Sequence, residues 1–289
     1  MRSEKEMMEL ILNTAKEDAR IRAVILNGSR ANPDAKRDPF QDYDIVYLVT
    51  DVAPYVDNPD WIKRFGKIMI LQIPWNYGDM PGMGEWRFTY LMQFADGNRI
   101  DLTILSIDHG VSAWEDSQSV ILLDKDGTVP KLPPPSNKDY LPKRPGEEEY
   151  EHCCNEFWWV STYVAKGLWR NELTYAKGVM DTWVRDQLMK MLTWHIGINT
   201  DFKQSVGKLG RHCKEYLEPE LWTQLRMTYP DAEAEHIWDS LLIMGDMFRR
   251  VAKRVGAHFG YEYPEGDDER VTAHLWYVRL LRKDAEELY

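Results

Sequence analysis

The residues best suited to chemistry in this sequence are three aspartates, two of which are separated by a single residue. Asp42 and Asp44 stand at the start of an apolar segment, YDIVYLVT, whose composition is typical of a β-strand. Alternate residues of a strand point to the same face, so the two carboxyl groups are expected to project together. Carboxylates this close repel each other and resist joint ionisation. A divalent cation removes that conflict, and Mg²⁺ prefers such hard oxygen ligands, so the pair predicts a magnesium site.

The third aspartate, Asp101, lies within another apolar segment, RIDLTIL, where an unpaired carboxylate is costly. If the two segments are neighbouring strands, the three carboxylates converge. Such a site can hold one or two metal ions against the attacking and leaving oxygens of a phosphoryl-type transfer. One alternative is that Asp101 pairs with Arg87 or Arg99 inside a hairpin. Another is that the first two aspartates are solvated at a strand end.

A short turn precedes the acidic pair, because the strand-like segment IRAVILN ends at Gly28, Ser29 and Arg30. Glycine lets the backbone approach a ligand closely, and the serine hydroxyl with nearby N–H groups can hold phosphate oxygens. Arg30 would add positive charge. A Gly-Ser after a strand is usually only a turn when it occurs alone. Its occurrence ahead of the acidic pair and the third aspartate favours a phosphate-binding role.

The elements that must position these residues are readable from periodicity. Residues 3–19 predict a helix that begins with a capping box between Ser3 and Glu6. Strands are predicted over residues 21–27, 43–50, 67–73, 86–94, 99–105 and 120–123, and a short helix over 61–66. The turn that contains Asp96 and Gly97 is typical of a hairpin. Residues 124–146 are rich in Pro and Lys and predict a linker, beyond which the periodicity is helical.

Composition narrows the class of partner. A formal net charge of -11 argues against nucleic-acid binding and is compatible with a cationic small molecule. We see no signal peptide and no apolar run of the ~18 residues that would span a membrane, so we expect no membrane partner and a cytoplasmic location. The odd cysteine count predicts no disulfide framework, and we interpret Cys153, Cys154 and Cys213 as buried thiols in a reducing compartment.

The turn and the acidic pair together resemble a known signature. Leu26-Asn27-Gly28-Ser29, then 12 intervening residues, then Asp42-Tyr43-Asp44-Ile45 is similar to the motif of the polymerase-β-like nucleotidyltransferase superfamily, with Asp101 at the third acidic position. Within that superfamily the whole chain resembles the aminoglycoside 6-adenylyltransferases that inactivate streptomycin. The stretches that carry this resemblance are NGSRANP, FQDYDIVY, EFWWVSTYVAKGLWR and LTYAK.

The resemblance implies an α+β fold, in which an N-terminal nucleotidyltransferase domain (a mixed β-sheet with flanking helices, residues 1–135) precedes an all-α C-terminal domain (136–289) that binds substrate and nucleotide. It implies transfer of AMP from Mg-ATP to the 6-hydroxyl of streptomycin, with release of pyrophosphate. Mg²⁺ is then the cofactor, and ATP and a streptomycin-like aminoglycoside are the partners. Two alternatives stay open: a different acceptor, such as another antibiotic or a protein hydroxyl, and a non-catalytic nucleotide-binding module.

The same resemblance assigns roles to single residues. Asp42, Asp44 and Asp101 become the metal ligands, and Gly28 with Ser29 becomes the contact to the triphosphate. The general base is either Asp101 or Glu85, which stands at the end of the 74–85 loop and is also a candidate contact to the drug. The alternative for Glu85 is a loop carboxylate in solvent.

The helical half offers further candidates. Lys166 and Arg170 are four apart on a predicted helix, where like charges repel, and a triphosphate between them would remove that repulsion. The alternative is that both lie in water or pair with carboxylates. Lys177 either reaches the same phosphates or pairs with Asp181, which can itself pair with Arg185.

Recognition of the drug needs carboxylates and flat aromatic faces, because streptomycin carries cationic guanidino groups. Asp181 is a candidate for the carboxylate, and the candidate aromatic residues are Trp75, Trp86, Trp158 and Trp159. Most tryptophans at helical spacing belong to a core, so none of the four is singled out. His195 lies on an apolar helix face, and we interpret it as a core histidine whose ring nitrogens are hydrogen-bonded.

Overall fold

The structure is a computed structural model that describes residues 1–33, 35–74, 86–109, 116–127 and 129–288. The chain divides into two compact units, Met1–Asp139 and Tyr140–Tyr289. The first contains a six-stranded mixed sheet and the second is helical, which confirms the α+β class. The division falls between residues 139 and 140, whereas the sequence places it between 135 and 136. The roles assigned to the two segments stay predictions.

The first unit begins with helix α1 (Glu4–Glu17), whose start is fixed by the predicted capping box. The Ser3 hydroxyl accepts the Glu6 N–H at 3.3 Å, and the Glu6 carboxylate accepts the Ser3 N–H at 2.7 Å. Each bond satisfies a backbone donor that the helix itself leaves unpaired. Met7, Ile11 and Ala15 on one face of the helix are completely buried against the sheet.

Six strands follow, and each predicted strand is present with its ends shifted by at most one residue. They are β1 (Ile21–Asn27), β2 (Tyr43–Val49), β3 (Ile68–Gln72), β4 (Arg87–Phe94), β5 (Arg99–Ser106) and β6 (Ser119–Asp124). Between them lie the short helix α2 (Ala53–Asp57) and 3₁₀ turns at Gly28–Arg30, Pro59–Phe65 and Ile107–His109, and a further 3₁₀ turn, Lys138–Tyr140, follows β6. The predicted helix over 61–66 is therefore the 3₁₀ turn Pro59–Phe65.

The sheet order is β3-β4-β5-β2-β1-β6. β2 and β5 run parallel, and every other neighbouring pair is antiparallel. β4 and β5 form the predicted hairpin, in which Gly97 adopts a φ of 89°. This order places the strand that carries Asp101 directly beside the strand that carries Asp44.

The two faces of the sheet pack against apolar clusters of different size. Along β2, Tyr43, Ile45, Tyr47 and Val49 point into the main core with α1, whereas Val46 and Leu48 belong to a smaller apolar cluster on the other face. Asp44 shares that second face because strand side chains alternate. The acidic pair therefore lies at the end of a short apolar patch, and the patch limits how much water reaches its carboxylates.

The second unit consists of helices. They are α3 (Glu147–Trp169), α4 (Leu173–Val179), α5 (Arg185–Asn199), α6 (Cys213–Tyr216), α7 (Pro219–Met227), α8 (Ala234–Phe259) and α9 (Glu265–Leu280), with a 3₁₀ turn at Lys208–Gly210. A π-helical segment, Met180–Val184, connects α4 and α5. Phe157 of α3 stacks on Phe248 of α8 with ring centroids 3.8 Å apart at the centre of this core. Among the helices that the structure describes, none is long and apolar enough to cross a membrane.

Candidate active site

The three aspartates converge. Asp42 immediately precedes β2, Asp44 is its second residue, and Asp44 is the register partner of Asp101 on the parallel strand β5. Each residue is half-buried, and one carboxylate oxygen from each lies within 4.8 Å of the others. We call these three residues the aspartate cluster. Three hard oxygen donors on one face of a sheet are a ligand set that fits Mg²⁺.

Burial and the neighbouring carboxylates change the pKa of Asp44, the central residue of the cluster. Burial, followed by the charges of Asp42 and Asp101, raises the pKa of Asp44 to about 7. The Arg99 charge opposes that shift, and Asp116 adds to it. Asp44 therefore keeps its proton at pH values where an ordinary aspartate has already lost it. A divalent cation would take the place of that proton.

Arg99 lies directly against the aspartate cluster. Its Nε and Nη2 donate to Oδ1 and Oδ2 of Asp101, both at 2.7 Å, which forms a bidentate pair. Its Nε also lies 3.7 Å from Oδ2 of Asp42. The predicted alternative of an Arg99–Asp101 pair is thus present together with the convergence of the carboxylates. Arg99 and Asp101 are residues i and i+2 of one strand and share its face, so the sequence alone could predict that Arg99 lies beside Asp101.

Gly28 allows the turn to approach the cluster. Its φ is +70°, and a Cβ at this position would collide with the Asp44 carboxylate. Only glycine fits both the backbone conformation and the space. The Gly28 N–H donates to the Gln118 carbonyl at 2.9 Å, so it is already used within the fold.

Ser29 and Arg30 differ in what they offer a ligand. Within the residues described, the Ser29 hydroxyl makes no hydrogen bond, so it stays a candidate donor to phosphate. Arg30 instead donates to the Asp42 and Gln41 carbonyls at 3.0 and 2.8 Å, and lies 3.9 Å from the centre of the Tyr43 ring. It also pairs with Glu4 at 3.2 Å, and its side chain is only 7% exposed. Arg30 therefore fixes the backbone that presents Asp42, and its direct contact with phosphate stays a prediction.

Two predicted contacts lie in the 74–85 loop. Glu85 and Trp75 are outside the residues that the structure describes, so their roles stay predictions. Trp86 is the first residue described after that loop, and it stacks on His109 with ring centroids 5.4 Å apart and a 17° interplanar angle.

Lys166 and Arg170, in the second unit, are both exposed near the end of α3. The Lys166 ammonium lies 4.8 Å from the Tyr163 ring centre and 5.9 Å from that of Tyr175. Across the described ranges, neither Lys166 nor Arg170 forms an ion pair with a carboxylate. Both are therefore available to an anion, and the triphosphate contact stays a prediction.

Lys177 and Asp181 show the arrangement that the sequence analysis gave as the alternative. Lys177 pairs with Asp181 at 2.8 Å, and Asp181 pairs with Arg185 at 3.3 Å. Arg185 is buried, lies 3.7 Å from the Tyr229 ring centre and donates to the Thr228 hydroxyl at 2.9 Å. The proposed contacts of Lys177 with phosphate and of Asp181 with the drug would require these pairs to open or be shared.

The interpretations of the cysteines as buried thiols and of His195 as a hydrogen-bonded core residue are confirmed. The three cysteines are buried free thiols, and burial raises the pKa of each one. His195 is buried, with Nε2 at 3.1 Å from a Glu218 carboxylate oxygen. Trp158 lies in the core and donates to the Tyr263 hydroxyl at 3.0 Å, whereas Trp159 is 58% exposed and donates to Tyr163.

Comparison with known proteins gives consistent matches along the chain. The profile of a family described as streptomycin adenylyltransferase matches residues 1–278. The aminoglycoside 6-adenylyltransferase of Bacillus subtilis (strain 168) is 40% identical over 274 residues, which covers 93% of this chain and 95% of that protein. The aminoglycoside 6-adenylyltransferase of Campylobacter jejuni is 40% identical over 271 residues, covering 93% of each chain. A crystal structure of an aminoglycoside 6-adenyltransferase from Bacillus subtilis matches with a TM-score of 0.49 and 36% identity, over 97% of this chain and 100% of that chain.

Proposed function

The chain belongs to the streptomycin adenylyltransferase family, a family of nucleotidyltransferases, and from that membership we propose that it transfers AMP from Mg-ATP to the 6-hydroxyl of streptomycin. The reaction would release pyrophosphate and leave an adenylylated drug. The cytoplasm is the proposed location, because it supplies ATP and keeps the three buried cysteines reduced.

The observation that carries the proposal is the aspartate cluster beside the Gly28 turn. In adenylyl transfer the acceptor oxygen attacks the α-phosphorus of ATP, and the bond to the bridging oxygen of pyrophosphate breaks. Charge grows on the phosphoryl and leaving oxygens during this step. Mg²⁺ held by Asp42, Asp44 and Asp101 would neutralise that charge and orient the phosphates.

The chain's own groups then have separate tasks. Asp44 must give up its proton before it can serve as a ligand, because ligands bind metal in the deprotonated form. Gly28, which has no side chain, leaves the space that the Asp44 carboxylate occupies. The Ser29 hydroxyl would donate to a phosphate oxygen. The proton of the acceptor hydroxyl would pass to Asp101 or to Glu85.

Binding of nucleotide and drug is assigned to the second unit. Lys166 and Arg170 are exposed cations without a carboxylate partner in the ranges described, which supports a role toward the triphosphate. Asp181 is the candidate for a drug guanidinium. Its two cationic neighbours, Lys177 and Arg185, already satisfy it, so the drug would have to share or replace one of them.

The test is pyrophosphate release in the presence of ATP and Mg²⁺, with streptomycin as acceptor and with spectinomycin and kanamycin as controls. We expect release with streptomycin alone, and a product whose NMR spectrum shows AMP on the 6-hydroxyl. Asp42→Asn is expected to abolish release, while Asp60→Asn, at an exposed surface pair with Lys63, is the matched control and keeps it.

Other outcomes separate the alternatives. If label from ATP arrives on a control antibiotic or on a polypeptide, that molecule is the acceptor in place of streptomycin. Tight ATP binding without pyrophosphate release for any acceptor would favour a non-catalytic nucleotide-binding module.

A further inference from the structure

We propose that Arg99 is a built-in counter-ion of the aspartate cluster, which holds Asp101 while no metal is bound and competes with the metal for the oxygens of that residue. Arg99 would thus be a positioning residue that weakens metal binding to the free enzyme. This inference rests on the proposed metal site. It adds a role that the sequence motif does not contain, because the motif names only acids, glycine and serine.

The first argument is that Arg99 already occupies lone pairs on both carboxylate oxygens of Asp101. Arg99 engages both oxygens of Asp101 at 2.7 Å in a fork. Magnesium demands an oxygen at about 2.0–2.1 Å in a regular octahedral shell. A metal that chelates Asp101 must therefore displace one branch of the fork or accept the less favourable outer lone pairs.

The second argument is charge. The guanidinium lies within 3.7 Å of Asp42 as well as against Asp101, so its single positive charge acts on two of the three proposed ligands. A fixed positive charge at this distance repels an incoming cation. Metal and Arg99 therefore compete in charge as well as in geometry.

The third argument is that Arg99 is free to move. Its side chain is 43% exposed, whereas the Asp101 side chain is 19% exposed, so the guanidinium can turn into water when a metal ion takes its place at the Asp101 carboxylate. Arg30 provides the contrast, because it is 7% exposed and is held by two carbonyls and an aromatic ring. Of the two arginines, Arg99 is the one able to release an aspartate.

The experiment measures metal affinity directly, without nucleotide or drug. Mn²⁺ takes the same hard oxygen ligands as Mg²⁺, and its free form is counted from its electron paramagnetic resonance signal. Titrations at pH 8 would compare the wild-type protein with Arg99→Gln, Arg99→Lys and the control Arg22→Gln. Arg22 pairs with Asp126 and lies at the start of β1, whereas the register partner of Asp44 is Asn27 at the other end of that strand.

We expect Arg99→Gln to bind Mn²⁺ about tenfold more tightly, since a unit charge beside the ion is removed. Arg99→Lys, which keeps the charge but loses the fork, is expected to fall between the wild type and Arg99→Gln. Arg22→Gln is expected to match the wild type. Unchanged or weaker binding by a folded Arg99→Gln protein would overturn the inference, because Arg99 would then only support Asp101.

A further variant separates this inference from the metal site itself. If Asp42→Asn binds Mn²⁺ as the wild type does, the aspartate cluster is not the metal site, and both proposals fall. If Asp42→Asn loses binding while Arg99→Gln equals the wild type, the metal site stands and the role of Arg99 alone is refuted. Circular dichroism of each variant shows that it is folded.

Discussion

Asp44 and Asp101 are register partners on the parallel strands β2 and β5, so that two carboxyl groups from distant parts of the chain lie side by side. Antiparallel partners on each side, β1 and β4, hold both strands in place. The geometry of the cluster is therefore a property of the sheet and does not depend on a flexible loop. Loss of a carboxylate should remove function and leave the fold intact.

Asp44→Asn tests that separation. We expect adenylyl transfer to fall by about a thousandfold or more, in line with the loss of a group that stabilises transition-state charge. The melting temperature without metal should stay the same or rise, because the amide ends the repulsion with Asp42 and Asp101. Pyrophosphate release measures the loss of activity, and thermal denaturation measures the melting temperature. A variant that unfolds, or one that retains near-normal turnover, would contradict the assignment.

Gly28→Ala tests the close approach between the turn and Asp44. The new methyl group would meet the Asp44 carboxylate at a backbone φ of +70°, so we expect both metal affinity and turnover to fall. Gly97→Ala is a matched control, because Gly97 also has a positive φ (+89°) but has open space around its Cβ position. It should lose about 1 kcal/mol of stability and keep its activity. Equal activity losses in both variants would mean that backbone strain alone explains the Gly28 effect.

The sheet and the aspartate cluster were predictable because their signals are local. Along β2 every residue except Asp44 is buried, and since successive side chains of a strand point to opposite faces, Asp42 and Asp44 had to share a side. The capping box at Ser3 and the turn at Gly97 are equally local. The adjacency of β2 and β5 is not local, since it depends on which strands pair, and only the resemblance to a family suggested it.

The partners of the cationic side chains could not be predicted from sequence. Arg30 ends a turn of the kind that binds phosphate, which suggested a ligand contact. Its guanidinium instead donates to the carbonyls of Gln41 and Asp42. A long side chain selects among many nearby acceptors, and spacing along the chain does not determine which one it reaches. The π-helical segment at Met180–Val184 was missed for a related reason, because its wider turn has no compositional signature.

The raised pKa of Asp44 predicts how metal binding depends on pH. Its pKa in the folded protein is about 7, above the ordinary value of 3.8, so the folded state holds a proton that the unfolded state releases. The stability that this proton contributes is present below pH 3.8 and is lost as the pH rises through about 7. Because Mg²⁺ needs the ionised carboxylate, the increase in melting temperature on adding Mg²⁺ should grow across the same range.

The pH dependence is checked by thermal denaturation from pH 5 to pH 9, with and without Mg²⁺. Asp44→Asn should show a small Mg²⁺ effect that no longer changes near pH 7. A wild-type Mg²⁺ effect that is the same at pH 5.5 and pH 8.5 would refute the link between Asp44 and the metal.

Arg30 variants distinguish a structural role from a contact with phosphate. Arg30→Lys keeps the charge but cannot bridge two carbonyls, so we expect a loss of about 1–3 kcal/mol in stability and a lower kcat. Arg282→Lys is the control, because Arg282 is exposed and pairs with Asp284 at 2.8 Å, away from Arg30 and its partners. If Arg30→Lys is instead stable and shows only a higher KM for ATP, Arg30 contacts the nucleotide.

We expect substitutions of Lys166 and Lys177 to affect the KM for ATP differently, because the surroundings of the two side chains differ. Lys166 is exposed and, in the ranges described, has aromatic neighbours but no carboxylate, so Lys166→Gln should leave stability within about 0.5 kcal/mol and raise the KM for ATP. Lys177 already pairs with Asp181, so Lys177→Gln should change stability slightly and, if the pair is purely structural, leave the KM for ATP unaltered. Steady-state kinetics at varied ATP would decide this, with Lys203→Gln at a surface pair with Asp201 as the control. An unchanged KM in Lys166→Gln would remove that residue from the nucleotide site, and a raised KM in Lys177→Gln would show that ATP competes with Asp181 for its ammonium group.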